Sequence, residues 1–469
     1  MAIFAIAMFS CKKENENEKE EASLTVTSPP AKTDYAVCEP FDPAGMVVTV
    51  EYTDNTTAAL TVTDAMLTYD FSKAGDGKTV TITYKGKEAS VTGITVIATL
   101  DRLKAALGKT ATVIIYGDEE FAPGSLAANN ALPAGTNLTL KGVSPTLTKS
   151  DNTPRLILTA KGCFFTVSEG TTLTLSDITL DGSGVADNNS SLVMISGTLV
   201  MKDGVTVTGN SAGGVHLFAN GVFNMEGGSI SNNKDGGVYI AANATFNLKG
   251  GSISDNRGIL GIGVYVGGSL TMSGGDISSN KTSQSTTYGG GVYVYTDAVF
   301  TMTGGTISGN DVGSGSGSLS GSGGGVWVQH KGTFTMTGGV ISDNKAERGK
   351  DVAIYAHVDT NTTGIFRLSG AAKPGHVTLF AESPARAAIN LPAAFSGSVA
   401  SVSQYGIIAG SLSFVKNLWL NAQVVVSSTG TIDVAKFPLG NFQIPKDGLT
   451  ENIDGAGYKL DNTGKLVVK

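Results

Sequence analysis

Short runs of alternating apolar and polar residues recur through the middle of the chain, between Ser211 and Asn344. Each copy combines a valine–aromatic–valine piece such as Val292-Tyr293-Val294, an alternating piece such as Phe300-Thr301-Met302-Thr303, and an isoleucine–serine piece such as Ile307-Ser308. Alternation with a period of two is typical of a strand with one buried face, so the Phe and Met side chains should point inward. No long helical period occurs in this region. The pattern therefore predicts three short strands in every copy.

The spacing of the copies keeps one interval constant and lets another vary. Each copy ends on an asparagine, and a large apolar residue lies eight positions before each of the last five. The asparagines are Asn210, Asn233, Asn256, Asn280, Asn310 and Asn344. The apolar residues are Met225, Leu248, Met272, Met302 and Met336. Length variation falls mostly after the asparagine, in residues 281–290 and 311–324, as expected of a coil that accepts insertions on one side.

Glycine pairs mark the corners of the predicted coil. A pair such as Gly304-Gly305 separates the second strand from the third in each copy. Glycine adopts the positive φ angles that tight bends require. Three strands and three corners in roughly 23 residues correspond to one rung of a parallel β-helix, with rungs stacked about 4.8 Å apart. We therefore predict an all-β solenoid over residues 111–469, with irregular rungs towards its C-terminal end.

The repeated phrases GGxIS-x-N and GG(G)V-[YW]-V resemble those of the right-handed parallel β-helix of pectate-lyase-like proteins. They are even more similar to repeat-rich bacterial surface proteins and adhesins of the polymorphic outer-membrane type. The resemblance covers roughly residues 110–400. It implies the fold and leaves the activity open, since this fold is found in lyases, hydrolases, esterases and passive binders.

Three columns of side chains should run along the solenoid. The Met and Leu residues are predicted to be core. The asparagines are predicted to form a ladder of amides inside a turn, each bonding to the rungs above and below, with contact to a metal or ligand as the alternative. The third column lies between inward valines and should point outward; it comprises His216, Tyr239, Tyr265, Tyr293 and Trp327. These rings either stack to stabilise the solenoid or form a platform for sugars or partner side chains.

The N-terminal residues 1–11, MAIFAIAMFSC, are too short an apolar run to span a membrane. They resemble a lipoprotein signal, which implies that Cys11 is lipidated and that the chain is anchored in the cell envelope as a surface-exposed outer-membrane lipoprotein. Residues 12–22 contain a charged run without core-forming residues and are predicted to be a solvated tether. A buried apolar N-terminal strand is the alternative for residues 1–11.

Residues 23–98 contain several short alternating runs separated by turn residues, which predicts a small β-sandwich. The predicted strands are Leu24–Thr27, Val47–Tyr52, Leu60–Thr63, Val80–Tyr84 and Ala89–Val96, with turns at Asp54-Asn55, Gly75-Asp76-Gly77 and Lys85-Gly86-Lys87. The residues from Tyr35 to Asp54 and from Gly77 to Tyr84 are similar to bacterial Ig-like domains of group 3, although Cys38 stands where that family usually has Gly. The resemblance implies a spacer or binding module.

One amphipathic helix is predicted at residues 99–110, with Thr99 as N-cap and Leu100, Leu103 and Leu107 on one face. It is placed to seal the open end of the solenoid. Less regular early rungs are predicted at Thr112–Tyr116, Asn137–Lys141, Arg155–Thr159, Cys163–Val167 and Thr172–Leu180. Later rungs are predicted at Val352–Ala356, Ile365–Leu368, Val377–Phe380, Ala388–Leu391, Val424–Ser427 and Thr431–Val434, followed by a closing hairpin at Gly457–Lys469.

Composition narrows the function classes. The net charge is −7 and Lys12-Lys13 is the one basic cluster, so a nucleic-acid partner is not expected. Cys38 and Cys163 fall in separate predicted domains, which makes a disulfide framework improbable. The four His residues have no metal-ligand spacing, and neither a metal nor a cofactor is predicted. Acidic residues are scattered; Asp177 and Asp181, the closest pair in the early rungs, are expected to face outward and to sit in a turn, respectively.

The leading hypothesis is a lipid-anchored surface protein that binds a glycan or a protein of a host or neighbouring cell. The contact surface would be the aromatic column with the rim loops 281–290 and 311–324, because binding residues concentrate on loops over rigid scaffolds. A carbohydrate-active enzyme, either a polysaccharide lyase or a hydrolase, is the second hypothesis and requires clustered carboxylates in a groove. No such cluster is apparent, so the sequence favours a non-enzyme. A passive envelope stalk is the third.

Overall fold

The structure is a computed structural model. It describes residues 19–144, 153–282, 288–314, 321–357, 362–382, 389–391, 396–408, 411–413, 425–427, 442–446, 449–453, 458–463 and 465–468. The chain divides into two compact units, Met1–Thr99 and Leu100–Lys469. The predicted lipidation site Cys11, most of the charged tether and the strand predicted at Thr431–Val434 lie outside the described residues. Among the described residues, no helix is both long and apolar enough to cross a membrane.

The first unit consists of two small sheets around one core. Its strands are Glu21–Ser28 (β1), Asp34–Ala36 (β2), Val47–Tyr52 (β3), Thr57–Leu60 (β4), Leu67–Thr68 (β5), Gly75–Tyr84 (β6) and Lys87–Ile97 (β7), with a 3-10 turn at Asp64–Met66. One sheet has the order β1-β3-β4 and the other β2-β7-β6-β5. Tyr35, Phe41 and Phe71 pack together in the core, with Tyr35 and Phe71 ring centroids 5.0 Å apart.

Two predictions for this unit were wrong in detail. The strand predicted at Leu60–Thr63 lies instead at Thr57–Leu60, where it pairs with β3. The turn predicted at Gly75–Gly77 lies inside β6, because a bulge between Gly75 and Val80 lets the strand continue past these residues to pair with β7. The turn at Lys85-Gly86 does connect β6 to β7, and both residues have positive φ.

The second unit begins with the helix α1, Thr99–Ala106. Leu103 and Ala106 are buried in the solenoid core, and the Arg102 guanidinium donates a hydrogen bond to the Ile114 carbonyl at 2.7 Å. The helix is thus fixed on the first rung.

Three parallel sheets form the walls of the solenoid, and each is named after its most regular side chains. The aromatic sheet consists of Ala131–Leu132, Phe165–Val167, Val193–Ile195, Val215–Leu217, Val238–Ile240, Val264–Val266, Val292–Val294, Val326–Val328, Val352–His357, Gly375–Glu382, Val399–Ile408 and Ser411–Ser413, with Thr362–Thr363 beside Val352–His357. The last strand and Thr362–Thr363 pair antiparallel to their neighbours.

The methionine sheet consists of Thr110–Ile115, Asn137–Gly142, Thr172–Ser176, Thr198–Met201, Val222–Met225, Thr245–Leu248, Ser269–Met272, Val299–Met302, Thr333–Met336, Ile365–Leu368, Ile389–Leu391 and Val425–Ser427. The serine sheet consists of Glu119–Phe121, Arg155–Leu158, Thr179–Asp181, Thr206–Thr208, Ser229–Ser231, Ser252–Ser254, Asp276–Ser278, Thr306–Ser308 and Val340–Ser342. A 3-10 turn lies at Ala128–Asn130, and short pairs form between Arg257–Gly258 and Lys281–Thr282, between Phe442–Lys446 and Leu449–Ile453, and between Tyr458–Leu460 and Leu466–Val468.

The fold prediction is confirmed: the chain is all-β apart from one α-helix in the described residues, with a sandwich-like unit followed by a parallel solenoid. The predicted strand Thr172–Leu180 is in fact two strands, Thr172–Ser176 and Thr179–Asp181. Asp177 between them has a φ of 51°, and this left-handed residue turns the chain from the methionine sheet into the serine sheet.

The core is a set of columns in strict register. Phe300 lies beside Leu270 and Phe334, and Met302 beside Met272 and Met336, and all of these side chains are buried. At the corner that follows, Gly305 has a φ of 83°, and a Cβ there would lie 2.6 Å from the Gly275 carbonyl oxygen. Gly305 is therefore required both by the backbone angle and by the close approach of the preceding rung.

Candidate ligand-binding face

The asparagine column forms a continuous buried ladder. The Asn256 Nδ2 donates to the Asn280 Oδ1 at 3.0 Å and to the Ile230 carbonyl at 3.0 Å, while its Oδ1 accepts from the Asn233 Nδ2 at 3.0 Å and the Asn233 backbone N–H at 3.1 Å. The same pattern links Asn280, Asn310 and Asn344. Because each amide uses its donors and acceptors inside the coil, the ladder serves the scaffold and offers no polar atom to a ligand.

Two members of the ladder were not predicted from the sequence. Asn188 donates to the Asn210 Oδ1 at 2.9 Å, and its position 22 residues before Asn210 was a usable signal. At the other end Asp351 replaces the next asparagine, and its Oδ1 accepts from the Asn344 Nδ2 at 2.9 Å. Asp351 follows Asn344 by only seven residues, so the repeat gave no sign of it.

The aromatic column is a stack of rings on the outside of the aromatic sheet. The ring centroids of His216 and Tyr239 are 4.6 Å apart, those of Tyr239 and Tyr265 are 4.7 Å apart, and those of Tyr265 and Tyr293 are 5.4 Å apart. The interplanar angles are 30°, 7° and 14°. Ring faces in the stack are therefore covered by neighbouring rings, and it is the ring edges that project outward.

Exposure changes sharply along the stack, and the prediction that all five rings form an outer surface was wrong for two of them. Tyr239 is 41% exposed, but Tyr293 is 6% and Trp327 1% exposed. Tyr288 packs on Trp327 with centroids 4.9 Å apart, and Tyr355 and Phe380 approach the indole at 5.8 and 5.7 Å. Tyr288 from a connection, together with Tyr355 and Phe380 from later strands of the aromatic sheet, thus buries the later part of the column.

The connection before each aromatic strand lengthens in the same order as the following ring becomes buried. Four residues join the ladder asparagine to the next strand at 211–214 and at 234–237, seven at 257–263, eleven at 281–291 and fifteen at 311–325. Short connections precede the more accessible rings of His216 and Tyr239, whereas the eleven-residue connection supplies Tyr288, which packs on Trp327. Residues 283–287 and 315–320 of the predicted rim loops lie outside the described residues.

Two clefts flank the accessible rings. The loop cleft, of about 500 Å³, lies between the rings of His216, Tyr239 and Tyr265 and a wall formed by Ile259 and Leu260. The corner cleft, of about 570 Å³, lies on the other side of Tyr239 and Tyr265 and is bounded by residues that include Asn243, Tyr295 and Asp297. Tyr239 and Tyr265, which line both clefts, are called the tyrosine ridge.

The His216 and Tyr265 side chains are uncharged around neutral pH. Burial lowers the pKa of the His216 imidazole, which favours its uncharged form. Burial, followed by the neighbouring phenols of Tyr239 and Tyr295, raises the pKa of Tyr265 from 10.0 to about 12. The phenol of Tyr265 therefore remains protonated and able to donate a hydrogen bond. Carboxylates occur at the margins, with Asp235 in the loop cleft and Asp297 in the corner cleft.

The acidic residues weighed in the sequence occupy structural positions. Asp177 is an exposed corner residue, whereas Asp181 is buried, forms an ion pair with Arg155 and accepts a hydrogen bond from the Ser183 backbone N–H at 2.8 Å. The column that holds Asp255 and Asp343 also holds Asn232, Ser279 and Gly309, and all five have positive φ. Among the described residues, no group of three or more His, Cys, Asp or Glu side chains is arranged to hold a metal ion.

Comparison with protein families agrees with the geometry in both units. Residues 28–96 match the bacterial Ig-like domain (group 3). Residues 163–365 match the right handed beta helix region. The chain joins these two modules. The matched β-helix interval contains the asparagine ladder and the tyrosine ridge, and this kind of β-helix fits a surface protein or a carbohydrate-active protein. No curated protein matches the chain.

Proposed function

We propose that this chain is a bacterial cell-surface protein that binds a glycan or a protein of another cell at the tyrosine ridge. The observation that supports this most directly is the exposure of Tyr239 between two clefts on an otherwise regular solenoid. Exposed aromatic residues in concave surroundings are a common feature of binding sites, because they combine apolar area with a polar group.

The surface around the ridge exposes several large apolar side chains. Phe218, Ile259, Leu260 and Tyr295 are all exposed large hydrophobic residues, and Phe218 packs against the His216 ring at 4.5 Å. They line the clefts or border the aromatic column. A concentration of exposed apolar side chains on one face is typical of an interaction site rather than of a passive stalk.

The ring stack restricts how a ligand can bind. Since the faces of Tyr239 and Tyr265 are covered by neighbouring rings, a sugar or side chain cannot lie flat on them. A ligand would instead enter the clefts beside the ridge, contact the ring edges and exchange hydrogen bonds with the phenol groups. Asn243, Asp235 and Asp297 add polar groups that could fix its orientation.

The anchoring half of the proposal rests on residues 1–22. An apolar run ending in Cys11, followed by a charged stretch, fits a lipidated cysteine on a tether. Labelling of the full chain in cells with a radioactive fatty acid tests this directly. We expect the wild-type chain to incorporate the fatty acid and Cys11→Ser not to incorporate it. Protease added to intact cells should cleave off the part of the chain that carries the tyrosine ridge. Label retained in Cys11→Ser would exclude this anchor.

The binding half is tested by retention of the purified chain on arrays of glycans and extracellular-matrix proteins. The informative variant is Tyr239→Ala, and Val340→Ala is the matched control, because Val340 is also an exposed apolar residue but lines neither cleft. We expect retention that Tyr239→Ala abolishes and Val340→Ala preserves. Retention that both variants preserve would contradict binding at the ridge. Shortening of a retained polysaccharide would instead favour the carbohydrate-active alternative.

A further inference from the structure

We propose that His330 and His357 form a binding site for a divalent transition-metal ion. Their ring centroids lie 5.2 Å apart, with an angle of 41° between the ring planes. The two residues line neither of the clefts beside the tyrosine ridge, so the site is separate from the proposed ligand face.

The register of the aromatic sheet brings the two histidines together. Val326–Val328 pairs in parallel with Val352–His357, with Val328 opposite Ile354. His330 follows the end of the first strand, and His357 is the last residue of the second. The two residues are 27 positions apart, one more than the 26 residues that separate paired positions of these two strands. Spacing along the chain therefore gives no sign of the pair, and the register of the rungs is needed to find it.

The separation of the rings suits shared coordination. In a tetrahedral site, zinc lies about 2 Å from one nitrogen of each imidazole, and this geometry holds the two ring centroids about 5 Å apart. The observed 5.2 Å agrees with that requirement. A pair of ligands is fewer than the three or four protein ligands of most zinc sites, so water molecules would complete the coordination.

A buried tyrosine holds both rings in place. The Tyr355 ring meets His330 at 6.3 Å and His357 at 6.0 Å, edge to face in both cases. Tyr355 itself is buried against Trp327, with centroids 5.8 Å apart. Contacts that fix the histidines before the metal arrives reduce the conformational entropy that binding must overcome. Both histidines are partly exposed, and an ion can reach them from solvent.

The chemistry of imidazole defines the class of ion. Neutral imidazole binds zinc, nickel and copper, and affinity rises from nickel to copper and falls again at zinc.

The test is calorimetric titration of the full chain, purified without a histidine tag, with zinc, nickel and copper chlorides. The variants are His330→Ala and His357→Ala, and the matched control is His376→Ala, which removes an exposed histidine elsewhere. We expect one ion per chain in the wild type and in the control, and loss of the binding isotherm in each of the other two. Circular dichroism without metal shows whether the variants are folded.

A second variant separates ligation from packing. Cysteine is also a zinc ligand, so the double replacement of His330 and His357 by Cys should restore zinc binding, whereas replacement of both by Gln should not. A wild-type chain that takes up no ion would overturn the proposal. So would binding that persists when both histidines are Ala, because the ion would then be held elsewhere.

Discussion

The Asn344 side-chain amide donates to the Asp351 carboxylate at 2.9 Å, and the Asn344 backbone N–H donates to the same oxygen at 3.3 Å. The other Asp351 oxygen accepts from the His376 backbone N–H at 2.8 Å. From Asn233 onward each amide of the ladder donates to the next one towards the C-terminus. The ladder thus has a direction. It ends at the Asp351 carboxylate, whose oxygens accept hydrogen bonds and donate none.

Asp351→Asn should destabilise the solenoid although it changes only one atom type. The new NH₂ group would face either Asn344 or His376, both of which are donors, so a buried donor would lose its acceptor. The expected loss in the free energy of unfolding is about 1–3 kcal/mol. Denaturant unfolding measures it, with Asp343→Asn as the control, since Asp343 is exposed at a left-handed corner that Asn also tolerates. Equal losses in the two variants would refute the directional ladder.

Asn280→Ala should be much more harmful than Asn224→Ala. Removing Asn280 leaves one side-chain N–H and the backbone N–H of Asn256 without an acceptor and takes the side-chain donor from the Ile253 carbonyl, all inside the coil. We expect a loss of about 2–5 kcal/mol. Asn224 accepts from Asn247 on the outer face of the methionine sheet at 2.9 Å, where water can replace it, and the loss should stay below about 1 kcal/mol. Comparable unfolding midpoints would contradict this distinction.

Buried rings of the aromatic column should contribute more to stability than exposed ones. Trp327→Ala removes a buried ring that packs on Tyr288, Tyr355 and Phe380, and we expect a loss of about 3–5 kcal/mol in unfolding free energy. Tyr239→Ala should lower the unfolding free energy clearly less, because Tyr239 is 41% exposed whereas Trp327 is buried. Thermal and denaturant unfolding of both variants provide the comparison. A Tyr239→Ala chain as unstable as Trp327→Ala would assign the whole column to the scaffold.

Acid should weaken the solenoid in part through His216. Burial lowers the pKa of His216 in the folded state below its value of about 6.5 in the unfolded chain. The unfolded chain therefore takes up the proton first as the pH falls. The stability that comes from this difference is complete above about 6.5 and is lost as the pH drops through the lower folded value.

The variant His216→Phe keeps a ring in the stack but cannot be protonated. Its unfolding free energy should fall less than that of the wild type between neutral and mildly acidic pH. If His216→Phe retained the full response, another group would be its source.

The regular part of the fold could be predicted because its signals are local. Alternation of Phe300, Thr301 and Met302 sets which face is buried, the constant interval to Asn310 sets the register, and Gly305 sets the corner. Each of these depends on residues close together in the chain. Where the local signal was ambiguous, as in Thr172–Leu180, the prediction missed a corner that a single left-handed Asp177 provides.

Features that depend on neighbouring rungs could not be predicted in the same way. The burial of Trp327 requires Tyr288 and Phe380, which come from other turns of the coil and from a connection of unpredictable path. The proximity of His330 to His357 depends on the same register between turns. The column of outward positions was visible in the sequence, but its exposure was not, because exposure is decided by what lies above the sheet.

The connections before the aromatic strands differ in length, from four residues before the strand of His216 to fifteen before that of Trp327. This variation has an evolutionary consequence. Insertion or deletion of a few residues in one connection would uncover or conceal a ring without altering a strand, a corner glycine or a ladder amide. Exposure of the rings and folding of the coil thus depend on different segments of each repeat. Such a surface can diversify under selection while the scaffold beneath it is inherited unchanged.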